Sequence, residues 1–96
     1  MKNGNVNDFV EKTTYEECAV MYNGTKYFFH GLIYDNITNS YSYDIDIWDS
    51  NGIYVKTIFN QKSDKDSECI KLAQNEPIFN GKTFWDAEAD MEWIEW

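Results

Sequence analysis

One histidine is the strongest candidate for acid–base chemistry in this chain of 96 residues. His30 lies within residues 27–32, a run rich in aromatic residues, and this composition predicts a strand. A general base needs an orienting group and a nucleophile close by, and no motif in the sequence supplies either. We therefore interpret His30 as a partly buried structural residue. A small enzyme that uses His30 with a carboxylate is the less favoured hypothesis.

The two cysteines are the next candidates, either as nucleophiles or as metal ligands. Cys18 and Cys69 are far apart in the sequence and form no Cys-x-x-Cys pair. Neighbouring carboxylates raise the pKa of a thiol, so an acidic chain disfavours the reactive thiolate. One histidine with two scattered cysteines has no zinc-binding spacing either. We expect two core cysteines, no metal and no cofactor, and the lack of an apolar leader predicts a cytoplasmic protein.

Two aspartates on one predicted strand raise the question of a divalent cation. Asp44 and Asp46 would point the same way, about 6.6 Å apart. An EF-hand loop counted from Asp44 requires glycine at its sixth position, where this sequence has Asp49. Weak calcium binding is therefore a minor alternative. We assign Asp44 and Asp46 instead to an acidic surface that contacts a partner.

The densest group of carboxylates lies near the C-terminus, where acidic and apolar residues alternate. Tryptophan is enriched at the centres of protein interfaces, and an acidic surface attracts a basic partner. A solvated face that only keeps the protein soluble is the simpler alternative. The candidate partner-binding residues are Asp86, Glu88, Asp90, Glu92, Glu95, Trp85, Trp93 and Trp96, together with Asp44 and Asp46.

The charge distribution narrows the class of partner. The net charge is -9, and residues 44–96 carry twelve acidic residues against five lysines. A surface of this sign repels phosphates, and the chain has no arginine to bind them in a bidentate manner, so direct nucleic-acid binding is disfavoured. No segment approaches the roughly 20 apolar residues of a membrane span. A basic protein is the expected partner.

These observations favour a non-enzymatic interaction module formed by one small acidic domain, residues 1–96. A more specific hypothesis is an inhibitor or immunity-type protein that occupies the nucleic-acid-binding site of a basic protein. Same-face carboxylates on a strand repeat at about 6.6 Å, so any mimicry of a phosphate backbone would be approximate. The alternative is a structural or accessory subunit that self-associates through its C-terminal tryptophans. The sequence does not determine the oligomeric state.

The first half of the chain shows helix and hairpin signals. Asp8 and Glu11 predict a capped helix that extends to about Glu17. Strands are predicted at 18–22 and 25–34, because Asn23-Gly24 between two β-prone runs is a strong hairpin signal.

Residues 40–49 alternate most regularly, with one face apolar and the other polar. The following Ser50-Asn51-Gly52 loop predicts a second hairpin in which Asp46 opposes Lys56 and Ile45 opposes Thr57. Ser63 and Asp66 then predict the start of a helix that ends near Asn75.

The C-terminal segment allows two interpretations. Strict alternation indicates a strand, whereas its composition and a Thr83 cap favour a helix over residues 83–96, which we prefer. That helix would carry two apolar stripes, one of them formed by Trp85, Ala89, Trp93 and Trp96. The predicted architecture is α+β, an antiparallel sheet of about four strands with two or three helices packed on it.

Overall fold

The computed structural model describes residues 1–94 and shows an α+β domain with one antiparallel sheet. The helices are α1 (Val6–Tyr15), α2 (Asp66–Asn75) and α3 (Phe84–Ala87), and a 3₁₀ turn (Glu88–Asp90) follows α3. The strands are β1 (Cys18–Tyr22), β2 (Thr25–Phe29), β3 (Ile33–Asp35), β4 (Ser40–Trp48), β5 (Tyr54–Ser63) and β6 (Glu92–Ile94). The predicted class is confirmed. The predicted count of about four strands is too low, because these residues form six.

Strand β4 lies at the centre of the sheet. On one edge of β4, residues 41–48 pair with β5. On the other edge, residues 45–48 pair with β2 and residues 40–42 pair with β3. Because β5 occupies one edge, β2 and β3 share the other and follow each other along it. β1 pairs with β2, and β6 pairs with β1.

The predicted strand at 25–34 is interrupted at Gly31, which separates β2 from β3. Gly31 has φ 78°, in the left-handed region that favours glycine. The N–H of Leu32 leaves the sheet and donates to the carbonyl of Thr14 at 2.9 Å. A Cβ at position 31 would lie 3.1 Å from the backbone N and O of Glu16. The end of α1 therefore packs directly on this break, a long-range contact that residues 25–34 do not encode.

Both hairpin turns form where the sequence predicts them. Asn23 and Gly24 have φ 51° and 76°, as a two-residue turn between β1 and β2 requires. In the second turn the Asp49 N–H donates to the Ile53 carbonyl at 2.9 Å, and Gly52 has φ 77°. Both predicted hairpins are confirmed.

The pairing of β4 with β5 differs from the predicted register. It begins as expected with Trp48 opposite Tyr54, but two register shifts follow, at the pairs that flank Val55 and Ile58. Each shift adds one residue to β5, as in a β-bulge. Asp46 therefore opposes Thr57 rather than Lys56. The shifts place Phe59 opposite Ile45, and both side chains are part of the core.

The helix ends are partly as predicted. Asn5 rather than Asp8 caps α1, since its side-chain oxygen accepts from the N–H groups of Asn7 and Asp8. α2 begins after Lys65, without a side-chain cap from Ser63, and ends at Asn75 as expected.

The predicted helix over residues 83–96 is wrong for residues 91–94, and residues 95–96 lie outside the described residues. The Thr83 cap is present, with the Asp86 N–H donating to Thr83 Oγ1 at 3.2 Å. The chain becomes extended at Met91, which is completely buried, and then pairs with β1. The free edge of β1 and the burial of Met91 outweigh the helical propensity of the segment.

The core lies between one face of the sheet and the helices. Its centre is a group of phenylalanine rings with centroids 5.3 to 6.3 Å apart: Phe9, Phe29, Phe79 and Phe84. Each buried ring contributes roughly 1.5–3 kcal/mol to the free energy of unfolding. Alternate residues of β4, Tyr43 and Ile45, point into this layer, so Asp44 and Asp46 lie on the other face.

The outer edge of β6 is closed by an asparagine side chain. Asn3 Oδ1 accepts from the N–H of Trp93 at 2.7 Å, and Asn3 Nδ2 donates to the Trp93 carbonyl at 2.8 Å. The side chain thus satisfies an edge residue as a neighbouring strand would.

We expect Asn3→Ala to lower the stability of β6 locally by ~0.5–1.5 kcal/mol, because it removes both hydrogen bonds. Amide hydrogen exchange of Trp93 measures this directly. Asn3→Asp is the matched control, since it keeps the acceptor for the Trp93 N–H and should preserve more protection. Equal protection in the wild type and in Asn3→Ala would contradict this role.

Gly31→Ala should lower the free energy of unfolding by at least about 2 kcal/mol, because it adds both left-handed strain and a contact with Glu16. Gly24→Ala is the control, since Gly24 has a similar φ of 76° but no atom within 4 Å of the added Cβ. Urea denaturation of both variants provides the comparison. If the two variants lose the same stability, the close packing of α1 on Gly31 is not important.

Candidate partner-binding site

Most of the exposed residues of the predicted C-terminal site lie on α3 and the 3₁₀ turn. Trp85, Asp86, Ala89 and Asp90 are all exposed, and we call these four residues the Trp85 surface. Trp85 is 45 % exposed, and its ring contacts Phe84 edge-on at 5.2 Å. Phe84 is buried in the core, so it anchors the segment that carries the tryptophan. The structure therefore presents an aromatic side chain among carboxylates on an anchored turn.

Trp93 does not belong to this surface, which corrects the predicted stripe of tryptophans. Because residue 93 lies on a strand rather than a helix, its side chain points toward α1. Its ring packs edge-on against Phe9 at 5.3 Å, and Lys12 Nζ lies 5.7 Å from the ring centroid. Trp93 is therefore half-buried, and its ring packs against α1 of its own domain.

The remaining C-terminal acids have separate environments. Glu88 Oε2 forms an ion pair with the amino group of Met1 at 2.7 Å, and the Glu88 side chain is 20 % exposed. Glu92 is exposed on β6, opposite Met21. Glu95 and Trp96, also predicted as contact residues, lie outside the described residues.

Asp44 and Asp46 lie on the face of the sheet that is opposite the helices, and each has a partner within the domain. Asp44 Oδ1 accepts from Asn60 Nδ2 at 2.5 Å. Asp46 is only 6 % exposed, and its Oδ1 accepts from Thr57 Oγ1 at 2.7 Å. These two aspartates are not brought together with the Trp85 surface. They belong to a different face of the protein.

Sequence reasoning did not identify the contact between Asp46 and His30. His30 Nε2 lies 2.5 Å from Asp46 Oδ2, and the imidazole also packs edge-on against Phe28 at 4.7 Å. The contact depends on the pairing of β2 with β4, which places Phe28 opposite Asp46 and for which the sequence made no prediction. The fold does bring a carboxylate to the only histidine, as the enzyme hypothesis requires.

The arrangement explains how a buried carboxylate is tolerated on this face. Both oxygens of Asp46 are engaged, one by His30 and the other by Thr57, whose hydroxyl also contacts Tyr54 Oη at 3.0 Å. A buried carboxylate is costly unless hydrogen bonds satisfy it. The hydroxyl of Thr57 bonds to the carboxylate rather than to the imidazole. These contacts form a hydrogen-bond network that links His30, directly after β2, to β4 and β5.

The two thiols are core residues, as predicted. Cys18 and Cys69 are 2 % and 0 % exposed. Burial raises the pKa of both thiols, which favours the uncharged form over the nucleophilic thiolate.

Comparison of the chain with protein-family models, with curated proteins and with solved structures finds no match. Within residues 1–94, no group of three or more His, Cys, Asp or Glu side chains is arranged to hold a metal ion. The helices found in the same range are too short or too polar to cross a membrane. The function must therefore be inferred from the surfaces themselves.

We expect His30→Ala to lower the free energy of unfolding by ~1–3 kcal/mol, because it removes a hydrogen-bond partner from the buried Asp46 carboxylate. Urea denaturation measures this loss, and Asp44→Ala on the same strand face should cost less, because Asp44 is more exposed. In the Asp46→Asn background the carboxylate charge is gone, so His30→Ala should cost less than in the wild type. Wild-type stability in His30→Ala would show that the contact has no structural importance.

Proposed function

We propose that this protein is a non-enzymatic interaction module that binds a basic region of another protein through the Trp85 surface. The observation that carries the proposal is the 45 % exposure of Trp85 on the same short segment as the exposed acids Asp86 and Asp90. Tryptophan is among the residues most enriched at binding hot spots. Carboxylates around such an anchor attract lysine and arginine and define the orientation of the partner.

The packing beneath the Trp85 surface supports this proposal. Phe84 and Ala87 are 2 % and 0 % exposed, so they attach the inner side of α3 to the core. The Thr83 cap and the 3₁₀ hydrogen bond from the Met91 N–H to the Glu88 carbonyl order the two ends of the segment. A surface ordered before binding loses less conformational entropy when a partner docks.

The charge of the whole chain extends the proposal to the class of partner. A net charge of -9 accelerates encounter with a basic protein and disfavours nucleic acid itself. An inhibitor or immunity-type protein that occupies a nucleic-acid-binding site has these properties. The thiols of Cys18 and Cys69 are free, which is consistent with action in the cytoplasm.

The two alternative functions have less support. Self-association through C-terminal tryptophans would need Trp93, whose ring is already packed against Phe9. An enzyme would use His30 with Asp46, which are in contact, but Thr57 is bonded to the carboxylate rather than placed as a nucleophile beside the imidazole.

A pull-down at low and high salt tests the proposal, with mass spectrometry to identify the captured proteins. We expect the wild type to retain a basic protein at ~0.05 M salt and to release most of it at ~0.5 M, because screening weakens ionic attraction. Charge reversal at both acids of the Trp85 surface, Asp86→Lys with Asp90→Lys, should abolish capture. Trp85→Ala should reduce it at both salt concentrations.

The matched control reverses exposed acids elsewhere on the protein. Glu17→Lys with Glu76→Lys changes the net charge in the same direction without touching the Trp85 surface. Capture should persist in this control, and circular dichroism should show that all variants are folded. An Asp86→Lys/Asp90→Lys variant that still captures the same partner would contradict the proposed site. Equal loss of capture in the control would show that only net charge matters.

A further inference from the structure

Strand β3 and the turn after it, residues 33–39, have an exposed apolar surface, and we call this segment the arm. All three residues of β3 are exposed, so neither face of this strand is covered within residues 1–94. Ile33 and Tyr34 are 54 % and 52 % exposed, and Ile37 in the following turn is 88 % exposed. Singly exposed apolar residues are normal, but two on a short edge strand and a third in its turn indicate an interaction surface.

The arm is well ordered despite its exposure. Asp35 Oδ1 accepts from the Ile37 N–H at 2.9 Å, and Tyr34 Oη donates to Asn39 Oδ1 at 3.0 Å. The Tyr34 and Tyr41 rings lie 5.0 Å apart across the two strands. The turn is therefore held by its own side chains, and Ile37 is presented to solvent in a defined position.

The arm is also nearly free of charge, which bears on the nature of its partner. Residues 27–43 contain one formally charged residue, Asp35, while 26 % of the whole chain is charged. Two copies of a chain with net charge -9 repel each other, so self-association is favoured where charge is least. This region satisfies that condition, whereas the acidic Trp85 surface does not.

We propose that two copies of this chain associate by antiparallel pairing of β3 with β3 across a two-fold axis, with Tyr34 opposite Tyr34. β3 pairs with β4 on one side, and within residues 1–94 no strand pairs with its other edge. Addition of a strand to such an edge is a common recognition mode. In this register each Asp35 opposes Ile33 of the other copy, so the two carboxylates do not face each other.

The same register brings the most exposed apolar residues together. Ile37 lies in the turn that follows β3, and antiparallel pairing of β3 with β3 brings this turn beside the start of β3 in the second copy, next to Leu32. There the Leu32 N–H bonds to the Thr14 carbonyl, which places the end of α1, with Tyr15, at that point. Tyr15 is 73 % exposed, and with Leu32 and Ile70 it lines a concavity of ≈ 420 Å³. Each Ile37 would cover this concavity in the other copy, which makes the interface self-complementary.

Analytical ultracentrifugation of the whole protein from ~10 μM to ~1 mM tests the proposal over the affinities expected of a small interface. We expect a monomer–dimer equilibrium that is weakened at least about tenfold by Ile37→Asp or by Tyr15→Lys. The combined variant Ile37→Asp/Tyr15→Lys should recover dimerisation relative to both single variants, because the new charges pair between copies. The matched control is Ile53→Asp. Ile53 is an exposed residue between β4 and β5, and its substitution should leave the dimer intact.

If the protein stays monomeric at ~1 mM, the proposal that a second copy binds the arm is wrong. Dimers unaffected by Ile37→Asp, or dissociated equally by Ile53→Asp, would overturn the proposed interface. A combined variant no more dimeric than the single ones would overturn the antiparallel register. Circular dichroism and thermal unfolding of every variant confirm that the changes act on association rather than on folding.

Discussion

Strand β4 is the element on which the rest of the structure depends. Three other strands pair with it, and its strict alternation sends Tyr43 and Ile45 into the core and Asp44 and Asp46 to the opposite face. Because the side-chain period of a strand is two, a slip of one residue would bury both aspartates among phenylalanine rings. Such a slip is prevented by the large difference in burial cost between the two faces.

This alternation also explains which parts of the fold could be predicted from the sequence. β4, its turn at Ser50-Asn51-Gly52 and the Asn23-Gly24 hairpin depend on local patterns, and the structure has all three. The bulges in β5 and the break at Gly31 depend on contacts with distant elements, such as α1 beneath residue 31. Local pattern reasoning has no access to these contacts. It therefore placed Asp46 opposite Lys56 instead of Thr57, and it did not predict the pairing of β2 with β4 that brings His30 to Asp46.

The C-terminal segment shows the same limit for the candidate site. Its composition favours a helix, and a helix does start at the Thr83 cap, but the open edge of β1 takes up residues 92–94 as β6. The change from helix to strand turns Trp93 inward, while Trp85 stays on the surface. The sequence could predict that tryptophans and acids are concentrated here. It could not predict which of the tryptophans is accessible, because that depends on pairing with a strand some 70 residues earlier in the chain.

The two proposed surfaces differ in the physical basis of their binding, and they share no residue. The Trp85 surface combines an aromatic anchor with carboxylates, so its affinity should depend on salt. The arm formed by β3 is apolar and nearly uncharged, so its association should depend little on salt. A dimer formed through the arm would carry two copies of the Trp85 surface. Binding to a partner with two basic sites within reach would then gain affinity by avidity, which requires no further contact on either protomer.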